Sequence, residues 1–120
     1  MTASPHPESD RVEFVRAVLE WLDGRETRAD AVDASLELLA NERRRLFLQV
    51  MRTYGEALTL PDAAEEVAVR ETGTSVAELS PEHVANVYIS LYHDHMPRLI
   101  DAGLLEYDQE RDLVTPVVVR

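Results

Sequence analysis

Asn86, Ser90 and His93 recur four and three residues apart in the second half of the chain, a spacing that places all three on one face of a helix. An asparagine amide pairs bidentately with adenine, and serine and histidine donate to base edges or phosphates, so the trio has the chemistry of a DNA-reading face. Guanidinium groups supply the complementary half by gripping phosphate oxygens. Arg43, Arg44 and Arg45 form the only basic run. On a helix they fan over about 200°, which turns Arg43 toward the core side, where a carboxylate can meet it. Arg44, Arg45 and Arg52 are the expected phosphate contacts. Arg111, in a polar turn near the end of the chain, is a further one, reaching phosphate or the minor groove.

Other chemistries fit the residues less well. His93-Asp94-His95 suggests a metal site, but two residues apart on a helix diverge by about 200°, so the two imidazoles cannot share an ion; His95 belongs to the core or to a cap. Only four glycines are present and no glycine-rich phosphate loop is formed. No serine sits in a nucleophile-elbow context. Cysteine is absent, which removes disulfides, thiolate catalysis and every cysteine-ligated metal centre. No catalytic residue, cofactor or metal is expected.

The chain of 120 residues is one domain's worth, with 45% apolar residues, and a globule of this size buries roughly 65% of the surface its unfolded chain exposes. Asp and Glu number 23 against 12 basic residues, a net charge of −11, and every basic residue is arginine. An acid-rich, lysine-free composition suits a protein working in multimolar salt, where the Debye length falls to about 3 Å and carboxylate repulsion is screened. Against such a background, negative charge does not exclude nucleic acid. No apolar run approaches the roughly 20 residues of a membrane span. The stretch Met1–Asp10 lacks the apolar segment of a signal peptide. The expectation is a soluble, cytoplasmic protein with no membrane partner.

The elements that must position these residues follow from periodicity and capping. Residues 1–9 read as a loose tail. Asp10–Asp23 carries Phe14, Val15, Val18, Leu19 and Leu22 at helical spacing, with Asp10 as cap, Glu13 reaching back to it and Gly24 as stop. A brief helical piece runs from Asp33 to near Asn41. Asn41 then caps a helix over Glu42–Tyr54 that ends at Gly55. Ala57 to Leu60 is a turn or small strand. Thr59 with Asp62 and Pro61 announces a helix over Pro61–Thr72. Ser80-Pro81-Glu82 starts another, which continues to about Ala102 with a kink or split at Pro97. Leu104–Asp108 and Leu113–Val119 flank the turn Asp108-Gln109-Glu110-Arg111 as a hairpin.

Three helices followed by a two-stranded wing is the winged helix-turn-helix arrangement. The expected fold is therefore mainly α with a small β-hairpin, a winged helix-turn-helix domain over 33–120 preceded by an extra N-terminal helix and linker over 10–32. That helix, with Phe14, Val18, Trp21 and Leu22, lies outside the minimal domain and is the expected interface of a homodimer.

Two stretches carry a resemblance. Leu38-Leu39-Ala40-Asn41-Glu42-Arg43-Arg44-Arg45 resembles the entry helix of many archaeal and bacterial winged-helix regulators. Val87-Tyr88-Ile89-Ser90-Leu91-Tyr92-His93-Asp94-His95-Met96-Pro97-Arg98-Leu99, with Ala102-Gly103-Leu104-Leu105-Glu106-Tyr107-Asp108 after it, is similar to an uncharacterised winged-helix domain family widespread in haloarchaea and generally labelled as transcriptional regulators. The resemblance covers about residues 33–115. It implies a sequence-specific regulator that binds double-stranded DNA through helix 81–102 and the wing. The alternative is a winged-helix module that binds a protein partner and no DNA. A neutral or basic surface around Asn86 and Arg111 favours the first, a uniformly acidic one the second.

Overall fold

The computed structural model describes residues 7–26 and 28–117. The chain divides into two compact units, Met1–Ser35 and Leu36–Arg120. In the first, helix α1 spans Pro7–Asp23. It begins three residues before the expected Asp10 cap, because Pro7 supplies a preset φ at the first helical position, where a missing N–H costs nothing. Glu8 and Asp10 then lie in the first turn, at the positive end of the helix dipole. Pro7, Glu8 and Ser9 thus belong to a helix and not to a tail. Helix α2 covers Ala29–Leu39, starting four residues ahead of the expected Asp33.

In the second unit, helix α3 is Glu42–Tyr54. The Asn41 side chain accepts from the Arg44 N–H at 3.0 Å, and Gly55 closes the helix at φ 66°, its N–H donating to the Met51 carbonyl. A side chain at Gly55 is disfavoured by that left-handed backbone. Helix α4, Leu60–Thr72, follows the short strand β1, Leu58–Thr59. Thr59 caps it by accepting from the Asp62 N–H at 3.2 Å.

Packing follows from which faces these helices bury. Phe47, Val50 and Met51 of α3 meet Leu60, Ala63, Ala64, Val67 and Ala68 of α4, all fully or almost fully buried. Three alanines on α4 leave room for helices on either side, and α4 packs against both α3 and α5 (Pro81–Ser90). Burying Phe47 stabilises the domain by roughly 1.5–3 kcal/mol, and truncating it to alanine costs about 3–5 kcal/mol with the cavity included.

The Ser80 side chain accepts from the His83 N–H at the start of α5. After Ser90 the helix widens into a π-helical turn over Leu91–His95, where the Met96 N–H reaches back to the Leu91 carbonyl, and α-helical geometry resumes as α6, Met96–Asp101. The break expected at Pro97 therefore lies one turn upstream of it. Proline has no N–H for the His93 carbonyl and its ring crowds that oxygen, and a wider turn ahead of it relieves both problems.

Strands β2 (Leu105–Asp108) and β3 (Leu113–Pro116) form the expected antiparallel hairpin, with Tyr107 opposite Val114. Residues 118 and 119 of the expected second strand lie outside the described residues. The hairpin belongs to a three-stranded sheet and does not stand as a two-stranded one. Strand β1 pairs antiparallel with β3, Leu58 opposite Val114, giving the order β1-β3-β2. Leu105 and Val114 point into the core. The domain is thus mainly helical, with one small antiparallel sheet. Among the described residues no helix is long and apolar enough to cross a membrane.

Candidate nucleic-acid interface

Asn86 and His93 are exposed, and Ser90 is half-buried between them on the run from α5 into the π turn. The His93 ring meets Tyr92 edge-on, centroids 5.0 Å apart. His95, two residues on, is 3% exposed and faces the interior. One imidazole is on the surface and the other in the core, so the pair does not converge on an ion. Among the described residues no group of three His, Asp or Glu side chains is placed to hold a metal.

The arginines separate into different environments. Arg43 Nε donates to Glu71 Oε2 at 2.8 Å, joining α3 to α4 as its core-side position implies. His83 Nε2 approaches the other Glu71 oxygen at 3.5 Å. Arg44 departs from its expected role as a phosphate contact. It is only 7% exposed, and its guanidinium donates to the Glu37 and Leu38 carbonyls at 3.4 and 3.3 Å and to His95 Nδ1 at 3.4 Å. Carbonyls at the C-terminal end of α2 supply the negative end of a dipole that offsets the buried charge. Arg45 is half-buried and donates to the Leu39 carbonyl at 2.6 Å. Arg52 is exposed on α3.

Arg111 is exposed in the β2–β3 turn, 3.7 Å from an Asp108 oxygen. That turn is organised by Asp108, whose Oδ1 accepts the N–H groups of Glu110 and Arg111. Its last residue, Asp112, adopts φ 52°, a left-handed conformation that aspartate tolerates better than most residues. Asp112 is the anchor of the hairpin turn. Its Oδ2 accepts from the Tyr88 hydroxyl of α5 at 2.9 Å, its Oδ1 from the Tyr107 hydroxyl of β2, and its carbonyl from the Leu60 N–H of α4 at 2.8 Å. Helix α5 and the turn carrying Arg111 are therefore tied through Tyr88 and Asp112. Sequence reasoning passed over Asp112, and its one signal was an acidic residue directly before a β-prone run. The hydrogen bond to Asp112 raises the Tyr88 hydroxyl above the usual tyrosine range, and burial first, then Asp112, does the same for Tyr107.

Around this anchor, Tyr88 and Tyr92 lie nearly parallel with centroids 6.4 Å apart, and Tyr107 meets Tyr92 edge-on at 6.2 Å. Together with His93, Gln109 and Asp112 they line an open groove of about 390 Å³. In the first unit, Phe14 is 64% and Trp21 55% exposed, while Val18 and Leu22 are half-buried. The Arg25 guanidinium lies 4.3 Å from the Trp21 ring centroid.

These features define a small helical domain closed by a three-stranded antiparallel sheet, with a polar helix face and an anchored turn on its surface. Residues 36–115 match the family described as Domain of unknown function (DUF7344), and the chain belongs to that family. Neither the curated proteins nor the solved structures give a match.

Proposed function

We propose that this chain is a winged helix-turn-helix regulator that reads double-stranded DNA with α5 and the following π turn, the β2–β3 turn lying alongside as the wing. The order α3-β1-α4-α5-α6-β2-β3, with α5 and α6 joined through the π turn, and the β1-β3-β2 sheet support a winged helix, an argument from fold that the site must back up. The observation that carries the reading is the charge map. No carboxylate occurs between Glu42 and Glu56 or between Glu82 and Asp94, although Asp and Glu make up 23 of the 120 residues. The two carboxylate-free stretches are α3 and the reading helix, the elements assigned to phosphate and base contact. Asn86, Ser90 and His93 then read bases, while Arg45, Arg52 and Arg111 hold the backbone. The resemblance to haloarchaeal regulators and the acidic, lysine-free composition support a protein working in high salt inside the cell. The exposed apolar face of α1 supports a homodimer.

One observation favours the second reading, a protein-interaction module. Arg111 is surrounded in sequence by Asp108, Glu110 and Asp112, so the wing tip is acidic where the helix is neutral. Selection of genomic DNA fragments by the full chain in molar KCl decides between them. Enrichment of a common site, lost on Asn86→Ala and weakened for all sequences on Arg111→Ala, supports the regulator. Retention of no fragment from about 0.2 to 3 M salt, a range spanning both screening regimes, leaves the interaction module.

A further inference from the structure

We propose that the groove between the reading helix and the wing turn binds a small organic ammonium cation. Its lining is three tyrosine rings, one imidazole, one amide and one carboxylate, with no arginine among them. The Tyr88 and Tyr107 hydroxyls spend their protons on Asp112, so their oxygens turn lone pairs outward. The carboxylate and these lone pairs make the groove electron-rich, which repels phosphate and carboxylate ligands and attracts a cation.

The aromatic arrangement selects the kind of cation. Tyr88 and Tyr92 are close to parallel and Tyr107 stands nearly perpendicular to Tyr92, so rings in two orientations line the groove. A charge within about 6 Å of a ring centroid is drawn to its negative face, and quaternary ammonium groups are the ligands best matched to such walls. A bare metal ion needs several oxygens at short, fixed distances. The groove offers a single carboxylate, and among the described residues no group of three His, Asp or Glu side chains is placed to hold a metal. A methylated ammonium makes no such demand, because its charge is spread over groups that need no acceptor and that bury against aromatic carbon. The occupant touches α5, the π turn and the wing turn together, and tightens all three.

The test uses the full chain in KCl at constant ionic strength, titrated with choline and followed by NMR shifts of the tyrosine ring protons. Its neutral carbon isostere, dimethylbutanol, is the control for size and apolarity, and added KCl the control for charge alone. The expected result is saturable shifts of Tyr88, Tyr92 and Tyr107 with choline only, and binding about tenfold weaker in Tyr92→Leu and in Asp112→Asn. Asparagine tolerates the left-handed backbone of residue 112 and keeps one acceptor oxygen, so that variant removes the charge and gives up one of the two tyrosine hydrogen bonds. Equal shifts with dimethylbutanol or KCl, or unchanged choline binding in both variants, overturn the proposal. No DNA enters the experiment, so its failure leaves the regulator reading standing, and the reverse holds as well.

Discussion

Arg44 and His95 meet inside the domain, guanidinium Nε donating to imidazole Nδ1 across 3.4 Å, so that a charged side chain of α3 is held by a neutral one from the π turn. The contact fixes the tautomer: with Nδ1 accepting, the histidine proton sits on Nε2. Burial, reinforced by the positive charge of Arg44, pushes the His95 pKa below the ordinary 6.5, against the opposing pull of Asp94.

Acid should therefore weaken the fold through His95. The native state favours the neutral ring, so its contribution is complete above 6.5 and drains away as pH falls below that value toward the lower native pKa. Thermal unfolding at about pH 7.5 and about pH 5.5 should show a larger drop in Tm for the wild type than for His95→Gln. Equal drops in both proteins refute this.

Arg44 and Arg52 should behave as opposites. Arg44→Ala removes the donor that the Leu38 carbonyl and the His95 Nδ1 accept from, costing about 1–3 kcal/mol in denaturant unfolding, while the salt dependence of DNA binding stays as it was. Arg52→Ala should change stability by no more than about 0.5 kcal/mol and weaken DNA binding. A stable Arg44→Ala protein with lost DNA affinity reverses the assignment.

The wing anchor should be measurable without any ligand. Tyr107→Phe removes one of the two hydroxyls on Asp112 and should cost about 1–3 kcal/mol. Hydrogen exchange should quicken at the Leu60 amide, which Asp112 protects through its carbonyl. If exchange there is unaltered, the turn is held by its backbone and not by the tyrosines.

With Arg44 buried, three arginines remain for phosphate: Arg45, Arg52 and Arg111. Each contact contributes about −0.9 to the log–log salt slope, so DNA affinity should fall with a slope no steeper than about −3. A slope near twice that value requires contacts beyond the ones named.

The first unit should mediate self-association. Light scattering in high salt should give roughly twice the 13.6 kDa chain mass for the full chain, and removal of residues 1–30 should leave a soluble monomer. A full-length monomer at high micromolar concentration removes α1 as an interface.

Helix positions were legible where the signals are local. Asn41 and Gly55 bracket α3 to the residue, and Ser80-Pro81 marks the start of α5, because a cap is a contract between atoms a few residues apart. Pro97 announced a disturbance without fixing its form, since widening upstream and kinking both satisfy a missing donor. The pairing of Leu58 with Val114 left no trace in periodicity, because strand partners are chosen by tertiary closure. Arg44 looked like a surface residue for the same reason: its helix angle placed it at a border, and only the arrival of α2 and His95 puts it inside. Asp112 was missed because its three partners come from three elements.

The central place of β3 in the sheet orders events during biosynthesis. Its neighbour β1 leaves the ribosome roughly fifty-six residues earlier, and that separation makes the pairing slow to find. Helices α3 to α5 can collapse on one another first, since their contacts lie between consecutive elements, yet the sheet has no middle strand until residues 113–116 emerge. Until then the backbone of Leu58 and Thr59 is an open edge, a place where a nascent chain can pair with a stranger.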